Sequence, residues 1–275
     1  MTAHETSPSR TRPAIYAHRG SSTVMPENTC AAYDWALALG SDVLETDVRL
    51  SAQGTLFMFH DEKLDRVTNG TGPIGKADDT QISALDAAYH FVKPDGTSMR
   101  DQGINLISLD ELFVRYPDTR INIDIKDNHQ RAVDEIVRLI RHYNRTALTT
   151  VGSFHTKMIR SLRAVAPEIR TAALKEEVAS LYFGRVLPGS SHAKGDASIK
   201  RPYKALQMPL RYYGIPLTTK KFIALGRSLG LDLVFWTVNE KEEMEKLLSL
   251  GVDGIVTDRP DLAKEVVGEG AVKSW

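Results

Sequence analysis

The chain is poor in cysteine, with one residue, Cys30, among 275. An intrachain disulfide is therefore excluded. That suits a reducing compartment, although an extracellular disulfide-free protein fits as well. Charge of one sign is not in excess either, since Lys+Arg and Asp+Glu both number 35. General electrostatic attraction to nucleic acid or an anionic membrane is thereby removed, and only local patches remain. Nothing approaches the ~18 uninterrupted apolar residues of a membrane-spanning helix. Residues 1–13 are polar and lack the apolar centre of a secretory signal. They read as a short disordered lead-in. The resulting expectation is a soluble, cytoplasmic protein that binds no nucleic acid and has no transmembrane segment; its oligomeric state is left open.

What the chain does have is a globular mixture, 42% hydrophobic and 25% charged. At this length roughly three-quarters of the unfolded surface is hidden on folding. One domain over 14–275 is expected. Short β-like runs alternate with amphipathic helical ones. Strands are predicted over 14–18, 43–50, 56–60, 120–126, 147–151, 169–173, 205–208, 231–238 and 252–256. Asn28 is predicted to cap a helix over 29–39, and Ser108 one over 109–116. Further helices are predicted over 128–143, 156–166, 218–229 and 240–250, and Pro260 opens the last. Some eight strand–helix units of this kind predict an α/β fold with a closed parallel barrel, the TIM (β/α)8 architecture. Two stretches interrupt it. One, at about 61–107, carries Gly70, Gly72, Gly75, Gly96 and Gly103 and reads as an insertion after the second strand. The other, 177–202, is rich in Gly, Ser and Lys and reads as a mobile cover over a site.

Active residues of such barrels lie at the C-terminal ends of strands. The first strand ends in His18-Arg19-Gly20, the second carries Glu45 and Asp47, and the β-run after it ends in His60-Asp61. The next carries Asn122, Asp124 and Lys126. Side chains alternate faces along a strand, so Glu45 and Asp47 share one face. Asn122, Asp124 and Lys126 likewise share a face, opposite Ile121, Ile123 and Ile125. The isoleucines suit packing against helices, which turns the charged row inward. Such a row is costly unless paired or bound to a metal. Glu45, Asp47 and Asp124 would form an oxygen-donor set of the kind that hard cations such as Mg²⁺ or Ca²⁺ prefer. Lys126 beside them suits a phosphate oxygen. Any one of these features alone has a plain structural explanation, a buried ion pair or a hydrogen-bonded histidine. It is their succession on consecutive strands that argues for a site.

These residues resemble the glycerophosphodiester phosphodiesterase family, of the bacterial soluble type. The resemblance runs through Ala17-His18-Arg19-Gly20, Pro26-Glu27-Asn28-Thr29, Glu45-Thr46-Asp47-Val48, His60-Asp61 and the stretch from Leu64 to Gly72. It resumes at Trp236-Thr237-Val238-Asn239 and from Gly251 to Pro260, and so spans nearly the whole chain. It implies hydrolysis of a small-molecule glycerophosphodiester to glycerol 3-phosphate and an alcohol, with a divalent metal, Mg²⁺ or Ca²⁺. His18 and His60 match the family's acid/base pair, and Glu45 and Asp47 its metal ligands. Arg19 and Lys126 would contact phosphate, and Trp236 would line the glycerol side. Glu27 is a further substrate-side candidate, next to Arg19 or at the start of a helix. At the third metal position the family has Glu where this chain has the shorter Asp124, reaching a metal directly or through water. Thr257 and Asp258 are expected to fix the last turn and cap the final helix. Asp61 is expected to orient a neighbour or the backbone. Two alternatives stand beside this reading: a lipid-cleaving phospholipase D of the venom type, or a barrel that binds phosphorylated ligands without catalysis.

Overall fold

A computed structural model describes residues 12–186, 201–268 and Val272. Residues 1–11 of the lead-in expected at 1–13, and 187–200 of the cover expected at 177–202, lie outside the described residues; Arg12, at the end of that lead-in, is held by an ion pair with Asp42 at 2.7 Å. In chain order the elements are β1 (Ala14–His18), α1 (Cys30–Ala38), β2 (Val43–Leu50), β3 (Leu56–Met58), α2 (Asp79–Ser83), α3 (Leu109–Arg115), β4 (Arg120–Ile125), α4 (Gln130–His142), β5 (Thr149–Gly152), α5 (Thr156–Val165), β6 (Arg170–Thr171), α6 (Lys175–Val186), β7 (Ala205–Pro209), β8 (Arg211–Tyr212), β9 (Ile215–Pro216), α7 (Lys220–Ser228), β10 (Asp232–Trp236), α8 (Lys241–Leu250), β11 (Gly254–Thr257) and α9 (Pro260–Val267).

Eight strands run parallel in the order β6-β5-β4-β2-β1-β11-β10-β7. A parallel bridge from Ala172 to Ala205 joins the two ends. There Ala173 N donates to Ala205 O at 2.8 Å and Lys204 N donates to Thr171 O at 3.1 Å. This is the expected barrel, nearly closed, with one thin seam. β3 lies off the ring and pairs antiparallel with β2.

The alternation read from the sequence decides which way each strand faces. Ile121, Ile123 and Ile125 are fully buried outside the barrel with Leu112, Val133 and Ile136. Burying each such side chain stabilises the fold by roughly 1.5–3 kcal/mol. The inward residues form a ladder of polar pairs. At the base Arg170 is paired with Asp232. Tyr16 also fills the base, and a Cβ on Gly254 would come within 2.6 Å of its ring, so this strand needs glycine there. Halfway up, Gln207 Nε2 donates across the barrel to Asn122 Oδ1 at 2.6 Å. The charged residues sit above that floor.

The segment between β3 and α3 is the expected insertion. It carries short 3₁₀ turns at Leu64–Arg66 and Ile74–Lys76 as well as α2. Its own small core gathers Phe57, Phe59, Leu64, Ile74, Ile82 and Leu106.

Three expectations are corrected. α1 is capped by Thr29, whose Oγ1 accepts from Ala32 N, and not by Asn28. Asn28 instead takes a left-handed backbone, φ 58°, which Asn tolerates better than most residues. The strand expected over 169–173 is only Arg170–Thr171. Finally, the start of the supposed cover is the helix α6. Its Val178, Leu181 and Tyr182 recur at helical spacing, a signal lost when composition is averaged over the Gly/Ser-rich residues that follow.

Candidate active site

The C-terminal ends of β1, β2 and β4 bring together most of the residues singled out in the sequence. Register places His18 beside Glu45 and Asp47 beside Asp124. The antiparallel return through β3 carries the chain back past β2, with Phe59 N donating to Asp47 O at 3.0 Å, and His60 follows. His18, Arg19, Glu45, Asp47, His60 and Asp124 line one cavity of about 490 Å³ with Lys126 and Trp236. Glu27 stands behind it. Its carboxylate accepts from Arg19 Nη1 at 3.0 Å and from Arg66 at 2.7 and 2.9 Å.

The two histidines are held alike. His18 Nδ1 lies 2.6 Å from Asp258 Oδ1, and His60 Nδ1 lies 2.6 Å from Asp61 Oδ1. A carboxylate on Nδ1 fixes the ring and leaves Nε2 to exchange a proton. Burial alone would lower the pKa of His18. The hydrogen bond to Asp258 and the charge of Glu45 outweigh that, and the imidazole is raised above its ordinary value. Burial opposes ionisation of Asp258, but its bond to His18 and those from Asn239 and Ser22 hold it down at about 2.

The carboxylates and cations form a compact network. Lys126 Nζ sits 2.6 Å from Asp124 Oδ2 and 2.9 Å from Asp47 Oδ1, and Arg19 Nε sits 2.9 Å from Asp47 Oδ2. Burial would raise Asp47, but Lys126 and Arg19 together bring it below the usual carboxylate value. Glu45 has less support. Burial, then the charge of Asp47, push it up to about 7. Burial also raises Asp124 despite Lys126. Its Oδ1 is buried with no hydrogen-bond partner.

Three carboxylates thus face two cations, Arg19 and Lys126, with one buried acceptor unmatched. That donor chemistry fits a hard divalent cation. As arranged, Lys126 bridges Asp47 and Asp124. Among the described residues no group of three His, Cys, Asp or Glu side chains is gathered around a common point for a metal.

Sequence reasoning missed three residues. Asp258 was assigned to the last turn, yet its side chain turns to His18, where Ser22 Oγ and Asn239 Nδ2 also donate to it at 2.8 and 2.7 Å. Neither Asp258 nor Thr257 caps the final helix, whose N-cap is Arg259 with no side-chain cap bond; Thr257 serves the turn, its Oγ1 accepting from Arg259 N at 2.9 Å. The strand-end rule applied to β11 would have found Asp258. Asn28 braces the second strand. Its Nδ2 donates to Asp47 Oδ2 at 3.2 Å, and its Oδ1 accepts from Thr46 Oγ1 at 3.0 Å. Arg66 reaches from the insertion to both Glu27 and Asp61. Asp61 orients His60, as expected. His90, His129, His142 and His155 do not line this cavity.

A family model described as the glycerophosphoryl diester phosphodiesterase family matches residues 18–262. A glycerophosphodiester phosphodiesterase of Caldanaerobacter subterraneus subsp. tengcongensis is 30% identical over 261 residues, 93% of this chain and 98% of that one. A protein of the same name from Bacillus altitudinis is 29% identical, over 92% of this chain and 97% of its own. The crystal structure of a glycerophosphodiester phosphodiesterase from Agrobacterium tumefaciens superposes with a TM-score of 0.72 at 30% identity, covering 92% of this chain and 98% of that one. With the motif residues assembled at one barrel mouth and a match extending across nearly all of the sequence, the chain belongs to the glycerophosphoryl diester phosphodiesterase family.

Proposed function

We propose that this chain hydrolyses glycerophosphodiesters to glycerol 3-phosphate and an alcohol, using His18 and His60 as its acid/base pair and a divalent metal as its cofactor. The observation that carries the reading is the matched pair of histidines, each fixed through Nδ1 by a carboxylate and both opening on the same cavity. Cleavage forms one P–O bond and breaks another. One histidine takes the proton from the attacking oxygen, and the other delivers a proton to the departing alkoxide. The attacking oxygen is water or the substrate's own neighbouring hydroxyl, in the second case with a cyclic phosphate hydrolysed afterwards. Arg19 and Lys126 border the space where the phosphoryl oxygens belong, and Arg19 offers a fork suited to two oxygens. Glu45, Asp47 and Asp124 would hold the metal, which when bound supplies positive charge to the phosphoryl oxygens. Asn28 keeps Asp47 in place, and Trp236 walls the cavity against Phe154.

The test is glycerol 3-phosphate release from glycerophosphocholine by the intact chain and by His18→Ala and His60→Ala. Each substitution is expected to lower kcat by about 100-fold or more with an unchanged unfolding transition. Chelation is expected to abolish turnover, and titration with Mg²⁺, Ca²⁺ or Mn²⁺ to restore it. Near-normal rates in either variant, or indifference to chelator, would defeat the reading.

A further inference from the structure

Aromatic side chains are exposed on one arc of the barrel mouth. Phe154, Phe183, Tyr212 and Tyr213 are 68%, 44%, 45% and 89% exposed. Phe154 follows β5, Phe183 lies on α6, and Tyr212 and Tyr213 belong to the hairpin β8–β9 that follows β7. The first three border the cavity. Tyr213 stands outside it, its ring edge-on to Tyr212 with centroids 4.6 Å apart. Tyr213 and Gly214 form a two-residue turn with φ 47° and 80°. Such a turn favours Asn-Gly, and a bulky side chain at positive φ is costly. A tyrosine held there in solvent gains the fold nothing.

Charge on the same arc is of one sign. Lys157, Lys175 and Lys220 lie in the first turns of α5, α6 and α7, and Arg211 lies in the hairpin. These helices start at the mouth, as helices that follow barrel strands do. All four basic residues are exposed, and among the described residues none of them has an ion pair. A lysine in the first turn opposes the helix dipole, so helix stability does not account for them. The acids of the described residues within 149–228 are Glu168, Glu176 and Glu177. Each is paired with an arginine, Arg141, Arg160 and Arg163 in turn.

We propose that this arc is a docking surface for an anionic lipid bilayer, with the barrel mouth turned towards the headgroups. Tyrosine rings settle at headgroup depth, phenylalanines reach the acyl boundary, and lysine and arginine meet anionic headgroups while their stems cover apolar surface. The zero net charge of the chain is no obstacle, because such attraction acts within about a Debye length of the patch. A second copy of the chain fits this surface less well, since a symmetric contact would set two basic arcs against each other. The docking does not depend on the phosphodiesterase reading; its use does. A glycerophosphodiester is what remains of a glycerophospholipid once both acyl esters are hydrolysed. The class of reaction that supplies the substrate therefore works at a lipid surface, and a mouth held there meets the substrate before it is diluted.

The experiment is sedimentation of the intact chain with vesicles at low salt. One set is phosphatidylcholine alone, the other equal parts of phosphatidylcholine and phosphatidylglycerol. The mixed vesicles are expected to bind about tenfold tighter or more, and the difference to fade as salt is added. Tyr213→Ser is expected to weaken binding to the mixed vesicles by about tenfold. Lys157→Gln with Lys220→Gln is expected to weaken it by about tenfold or more. None of these three residues lines the cavity. The unfolding transition and the turnover of dissolved glycerophosphocholine are therefore expected to match the parent in both variants. Equal binding to the two kinds of vesicle, no binding to either, or binding that neither variant weakens overturns the proposal. So does self-association that Tyr213→Ser abolishes, which would give the arc to a second copy of the chain. Vesicle binding as expected without any turnover would leave the docking surface standing and remove the phosphodiesterase reading instead.

Discussion

Asp258 shows how one side chain can set the working state of another. Burial works against a charged His18, and the Asp258 hydrogen bond is the first of the influences that reverse this. Asp258→Asn keeps the shape but removes the charge and weakens the bond, leaving burial dominant. The His18 pKa is then expected to fall. Its protonated form, present below the pKa, disappears at a lower pH than in the parent. The limb of the kcat/KM profile that reports His18 moves towards acid: the alkaline limb if His18 is the acid, the acidic limb if it is the base. The displaced limb therefore assigns the two roles, and an unmoved profile would show that Asp258 does not tune the histidine. The same carboxylate also bears on stability. Its folded pKa of about 2 lies below the ordinary aspartate value. It thus contributes stability that is complete above about pH 4 and is lost as the pH falls through 2.

Among the elements, strands announced themselves and turns did not. β1 and β2 coincide with the runs expected over 14–18 and 43–50, and β4 shows the alternation of polar and apolar residues, because one face meets helices and the other the barrel interior. β6 is short because the chain leaves the barrel at the seam, a tertiary fact without local signature. The 3₁₀ turn Leu64–Arg66 was legible only as part of a motif, yet it delivers Arg66 between Glu27 and Asp61. One guanidinium thereby ties the Arg19 side of the site to the His60 side. The side chain is 48% exposed, so its contribution to stability is small and its value lies in positioning. Arg66→Met is expected to lower kcat by about tenfold, with an unchanged unfolding midpoint and His60 showing greater ring mobility by NMR. Arg66→Lys, which keeps a charge but not the fork, is expected to recover part of the loss. Parent-like kcat in the methionine variant would remove Arg66 from the site's support.

For the whole molecule, the barrel interior is a column with a polar pair at each level: Arg170 with Asp232, Asn122 with Gln207, then Lys126 among its carboxylates. The top level could be read from Asn122, Asp124 and Lys126 alternating along a single strand. The lower partners could not, because Gln207 and Asp232 lie far along the chain and only ring closure brings them opposite. The base pair also sits by the seam, where the ring has a bridge instead of a full ladder, so it is well placed to hold the two edges together. Its side chains are 17% and 5% exposed, and removing one partner of a buried pair costs about 3–5 kcal/mol. Asp232→Leu is accordingly expected to lower the denaturant midpoint sharply, while the double replacement Arg170→Leu with Asp232→Leu, which strands no charge, returns most of the loss. Equal destabilisation in the single and double variants would mean that the balance of charge between the two is not what holds the seam shut.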